Sequence, residues 1–110
     1  MNAQNFTQKS IEALESARSI ALENNSMQIC PEHLLYALVD QDGGLIGSLL
    51  TKMQVDTDAF LASLDAVISA FPAVTGSGRE PDKIYVSPET DRLLNAAAKQ
   101  AKADKDEYVS

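Results

Sequence analysis

The sequence predicts an all-α fold, and three observations carry that prediction. Apolar residues recur at three- and four-residue spacing in successive segments, the period of a helix that buries one face. Helix-start signals stand before these segments. Two of them read Pro31-Glu32 and Pro88-Glu89, where proline gives up no intrahelical bond and glutamate meets the positive end of the helix dipole. The composition agrees, at 45% hydrophobic but only 5% aromatic and without tryptophan, as expected of an Ala- and Leu-rich helical protein.

The first five residues are polar and are expected to fray. A first helix is predicted from about residue 7 to 23, capped by Asn5 or Thr7. Ile11, Leu14, Ala17 and Ala21 form its apolar face, widened by Ala13, Ile20 and Leu22, and the small alanines invite close approach of a second helix. Asn24-Asn25 ends it, since asparagine tolerates the left-handed conformation. Ile29 then serves as an apolar plug beneath a loop, and Pro31 opens a helix to about residue 40 with Leu34, Leu35, Leu38 and Val39 along its buried stripe. Gln41-Asp42-Gly43-Gly44 reads as a turn.

A short helix follows from about 45 to 53, with Leu45, Leu49 and Leu50 expected inward. Asp56 caps a fourth helix, about 57 to 71, carrying Phe60, Leu61, Leu64, Val67, Ile68 and Phe71, which Pro72 ends. Residues 72–86 lack helical periodicity and read as a linker, anchored at its end by Ile84 and Val86. Ser87 caps the fifth helix, which runs to about 103 with Leu93, Leu94, Ala97, Ala98 and Ala101 inward.

At 110 residues the chain is one domain's worth and buries about 65% of its unfolded surface when compact. The formal charge of −7 argues against nucleic acid or an anionic membrane as partner, both of which require a basic surface. A single cysteine forms no internal disulfide. The first residues lack the pattern of a signal peptide, and no apolar run approaches the ~20 residues of a membrane span. A soluble, cytoplasmic domain is expected.

An offset of 80 residues aligns two parts of the chain: Thr7 with Ser87, Leu14 with Leu94, Ala17 with Ala97, Ala21 with Ala101 and Ile29 with Val109. The Pro-Glu-His-Leu-Leu helix that follows Cys30 has no counterpart after Ser110. The expected architecture is therefore a pseudo-twofold repeat of a small helical bundle whose second copy is truncated: repeat one over 5–71, a linker over 72–86, and the start of repeat two over 87–110. Half a repeat leaves a helix face without its partner, here the face bearing Leu93 and Leu94, and such a face tends to find a symmetric copy or another apolar ligand.

Several segments together resemble one family. They are Phe6-Thr7-Gln8-Lys9, Glu12-Ala13-Leu14, Pro31-Glu32-His33-Leu34-Leu35, Gln41-Asp42-Gly43-Gly44, Phe71-Pro72-Ala73-Val74-Thr75-Gly76, Tyr85-Val86-Ser87-Pro88-Glu89 with Leu93-Leu94, and Asp106-Glu107-Tyr108-Val109-Ser110. Their combination is similar to the amino-terminal domain of the Clp family of AAA+ chaperones, and within it to the ClpB disaggregase branch. The resemblance implies an all-α bundle of two four-helix repeats, tethered to a homohexameric ATPase ring, that binds exposed apolar segments of unfolded or aggregated proteins. ATP and magnesium would belong to ring domains outside this chain, which carries no cofactor and no catalysis of its own. Carried over by position, the substrate-binding residues are Thr7, Leu94 and Asp106, with Tyr108 beside them; the unpartnered face of the fifth helix adds Leu93. A ClpA- or ClpC-type domain that docks adaptors for a protease is the alternative within the same fold.

The remaining chemistry-bearing residues have plainer readings. His33 is the only histidine, so no histidine-pair metal motif exists, and a buried ring bonded to backbone is expected. Cys30 and His33 could form a nucleophile and base only if the thiol were activated; a cap or core thiol is the preferred reading. Gly43-Gly44 and Gly76-Ser77-Gly78-Arg79 lack the Gly-Lys-Ser/Thr of a phosphate-binding loop. Asp104, Asp106 and Glu107 lack the spacing of a calcium loop.

Overall fold

A computed structural model describes residues 7–73 and 84–103. Five helices and two short strands follow one another: α1 (Gln8–Glu23), β1 (Gln28–Ile29), α2 (Pro31–Asp40), α3 (Leu45–Lys52), α4 (Thr57–Ser69), β2 (Tyr85–Val86) and α5 (Pro88–Ala103). The fold is all-α, as the periodicity predicts. Asn5, residues 74–83 of the linker, and residues 104–110 with Asp106 and Tyr108 lie outside the described residues.

Thr7 caps α1, its Oγ1 accepting the Ser10 N–H at 3.2 Å and donating to Ser10 Oγ at 3.1 Å. Ser87 caps α5 in the same way: its Oγ accepts the Thr90 N–H at 3.2 Å, and the Ser87 and Thr90 hydroxyls lie 2.9 Å apart. At the far end of α1, Asn25 takes a φ of 57°, the left-handed turn expected there. Helix α4 starts on Asp56, whose carboxylate accepts the Ala59 N–H at 3.1 Å. It ends two residues before the predicted Phe71, because the residue preceding a proline is driven out of the helical region.

The core sits where α2 crosses α1. Ala13, Ala17 and Ala21 are at most 1% exposed, one residue per turn, and α2 packs on this flat stripe with Leu34 and Ala37. Ile29 and Leu94 complete the cluster, so α5 is tied to the core by its own leucine. A latch joins the start of α1 to the α2–α3 turn: Lys9 Nζ donates to the Asp42 carbonyl at 2.9 Å and Gln41 Nε2 to the Lys9 carbonyl at 2.8 Å. Gly43 sits in that turn at a φ of +67°, where a side chain would be strained.

Two features depart from the sequence reading. The end of the linker forms a strand, β2, paired in parallel with β1, Gln28 opposite Tyr85 and Ile29 opposite Val86. Two-residue strands are too short to show a period of two. Helix α3 also turns two of its three leucines the other way: Leu45 is 62% and Leu49 44% exposed, and with Met53 at 69% they line one solvent-facing stripe. The cause is Gly47, where a Cβ would stand 2.9 Å from the Val39 carbonyl. Bare backbone thus faces α2, Ile46, Gly47 and Leu50 are half-buried, and Leu45 and Leu49 point outward.

Candidate functional site

The parallel strand pair sets the geometry of the site. Each strand runs directly into a helix cap, β1 into Cys30 and β2 into Ser87, and the Ser87 N–H donates to the Ile29 carbonyl at 3.0 Å. Helices α2 and α5 therefore start side by side. Between them lies a cleft of about 270 Å³ lined by Pro31, Glu32, Leu34, Leu35, Leu38 and Leu93. Its volume is at the lower edge of the roughly 300–1,000 Å³ of small-molecule sites, suited to apolar side chains rather than to a whole cofactor.

Two leucine pairs build the walls. Successive residues on a helix point about 100° apart, so in each pair one leucine is driven inward and its neighbour outward. Leu34 is 7% exposed while Leu35 is 37%; Leu94 is 6% exposed while Leu93 is 49%. The buried members hold α2 and α5 on the α1 stripe, and the open members face the cleft mouth. The expectation of one open face bearing both Leu93 and Leu94 is corrected accordingly: Leu94 has its partner inside the molecule. Thr7 is engaged in the α1 cap and is not among the cleft-lining residues. Spacing places Leu35 and Leu38 on the core stripe; Leu38 does pack against the core as well as lining the cleft, whereas Leu35 is open, and the adjacent Leu34-Leu35 pair is the sign that one of the two must face out.

Beneath the cleft the α2 cap is unusual. His33, fully buried, turns its Nδ1 back to accept the Cys30 N–H at 2.8 Å, taking the place of the glutamate or glutamine of a capping box. This bond places the imidazole proton on Nε2, which has no hydrogen-bond partner among the described residues. Phe71 stands edge-to-face against the ring at 5.6 Å. Burial pushes the His33 pKa down, partly opposed by Glu32. Burial pushes the Cys30 thiol up, Glu32 and Glu89 push it further, and a hydrogen bond with Ser87 only partly offsets them. A nucleophilic cysteine needs the opposite shift and a free base, and here the acceptor nitrogen of the imidazole is taken by backbone.

Two further hollows are polar. One of about 490 Å³ lies against the α2–α3 turn and the start of α4, beside Asp40, Asp42, Lys52 and Asp58. The other, about 560 Å³ between α1 and α2, is lined by Glu12, Ser16, Ser19, Glu23 and Asp40 among others. Among the described residues no group of three His, Cys, Asp or Glu side chains is arranged to hold a metal, and no helix is long and apolar enough to cross a membrane.

Comparison with known proteins matches this arrangement to one family. The chain is 36% identical over 110 residues to the chaperone protein ClpB of Bacillus cereus, which covers all of this chain and 13% of that protein. It thus spans about one eighth of the length of the curated relatives it matches. Its fold is similar to the N-terminal domain of Hsp104 from Candida albicans, with a TM-score of 0.80 and 23% identity over 96% of this chain and 67% of that one. It is also similar to the N-terminal domain of the caseinolytic protease associated chaperone ClpD from Arabidopsis thaliana, with a TM-score of 0.70 and 17% identity over 99% and 71% of the two chains. The model of the Clp repeat (R) N-terminal domain matches residues 5–110, and the chain belongs to that family.

Proposed function

We propose that this chain is the substrate-capturing module of a ClpB-type disaggregating chaperone, holding exposed apolar segments of unfolded or aggregated proteins in the α2–α5 cleft. The observation that carries the reading is the pair of open leucines, Leu35 and Leu93, facing a cleft lined by apolar side chains between two helices fixed by the core. Contact of this kind is adaptable, since apolar burial has no direction and accepts many side chains. ATP hydrolysis belongs in this reading to a hexameric ring beyond these residues, and the setting is cytoplasmic.

The chain is read as one domain, with a first repeat over 5–71, a connecting segment over 72–86 and the start of a second repeat over 87–110. The matched hydroxyl caps at Thr7–Ser10 and Ser87–Thr90 support that division. Asp106 and Tyr108 are retained as candidate contacts on resemblance alone, and a second copy of the chain remains a candidate partner for the face bearing Leu93.

The test is binding of fluorescently labelled lysozyme that has been reduced and carboxamidomethylated, with native lysozyme as the control. Unfolded polypeptide is expected to bind and native protein not to. Leu93→Ser is expected to weaken binding about tenfold, because covering the exposed part of one leucine is worth about 1–2 kcal/mol. Unchanged affinity in Leu93→Ser overturns the assignment of the cleft.

A further inference from the structure

Resting on the cleft reading above, we propose that the site selects segments in which a lysine or arginine lies beside the apolar anchor, and that Glu32 and Glu89 make this selection. Glu32 lines the cleft from the first turn of α2, and Glu89 stands in the first turn of α5. The parallel pairing of β1 with β2 brings these two turns together. The charges of both carboxylates are felt at the Cys30 thiol, which lies at the start of α2. Glu32 therefore lines the end of the cleft where α2 begins, Glu89 stands near that end without being a lining residue, and Leu38 lines the cleft farther along α2.

Among the described residues neither carboxylate has an ion-pair partner; Arg92, one turn along α5 from Glu89, does not come within salt-bridge distance of it. Each helix start contributes about half a positive charge. Glu32, Glu89 and Asp91 in those first turns outweigh it. Two like charges held together without a counter-ion favour a ligand that supplies one. An acidic segment meets both this local repulsion and the −7 charge of the chain.

Three unstructured peptides that differ only in the residues flanking one phenylalanine (lysine, glutamine or glutamate) test the proposal by fluorescence anisotropy at low salt. The lysine peptide is expected to bind about fivefold tighter than the glutamine peptide, the scale of partly exposed ion pairs, and the glutamate peptide more weakly than either. Glu32→Gln/Glu89→Gln should remove most of the lysine preference. Glu12→Gln/Glu15→Gln, which takes the same charge from the exposed side of α1, should leave it in place. Equal binding of all three peptides to the wild-type chain, or equal loss of preference in both double variants, overturns the charge selection. Absence of binding by every peptide overturns the cleft reading beneath it.

Discussion

Leu94→Ala is expected to lower the unfolding free energy by about 3 kcal/mol, whereas Leu93→Ala, one residue away, costs no more than about 1 kcal/mol. Leu94 is 6% exposed and belongs to the cluster formed with Ala13, Ala17, Ala21 and Leu34. Removing it opens a cavity that the rigid helices around it fill only in part. Leu93 is 49% exposed, so most of what alanine removes there already meets water. Urea unfolding followed by circular dichroism measures both. The two variants are expected to differ oppositely in binding, Leu93→Ala weakening capture of unfolded polypeptide while the folded fraction of Leu94→Ala retains it. A reversed order of stabilities contradicts the inward assignment of Leu94.

His33→Ala is expected to cost about 2–4 kcal/mol, through a cavity beside Phe71 and loss of the bond that caps α2. His33→Gln, whose amide oxygen can accept the Cys30 N–H, recovers part of that loss. The two variants also separate a pH effect. Burial lowers the pKa of the folded imidazole below the 6.5 of an unfolded one. Between the lowered value and 6.5, the unfolded chain therefore binds more protons than the folded one, and stability falls as pH falls. The contribution is fully present above pH 6.5 and is lost downward through the folded value. His33 is the only histidine, so the loss of stability from pH 7 to pH 5 is expected to be steeper in the wild-type chain than in His33→Gln. Equal slopes in the two proteins contradict a neutral buried imidazole.

Much of this molecule was legible in the residues because its helices are punctuated. Thr7, Asp56 and Ser87 mark helix starts with side chains that make the capping bonds their chemistry promises, and Pro31 stands where a proline costs nothing. The alanine stripe at Ala13, Ala17 and Ala21 announced a close helix contact. What spacing alone could not show was direction. In Leu34-Leu35 and Leu93-Leu94 the period allows either leucine to face the core, and only the placement of α1 decides. The same limit turned Leu45 and Leu49 of α3 outward: they satisfy a helical period, but Gly47 at the Val39 carbonyl lets backbone take the inward place. The strand pair was hidden for a different reason, since its two rungs depend on residues more than fifty positions apart rather than on any local pattern. That pair is nevertheless what brings Glu32 and Glu89 together and opens the cleft between Leu35 and Leu93.

The cleft assignment is tested most directly by amide chemical shifts of the isotopically labelled chain during titration with reduced, carboxamidomethylated lysozyme. Shifts are expected to concentrate on Glu32, Leu35, Leu38 and Leu93 and their neighbours along α2 and α5. The rival apolar surface, the stripe of Leu45, Leu49 and Met53 on α3, is expected to stay still. Shifts confined to that stripe, or none at all at saturating polypeptide, would contradict the placement of capture between α2 and α5.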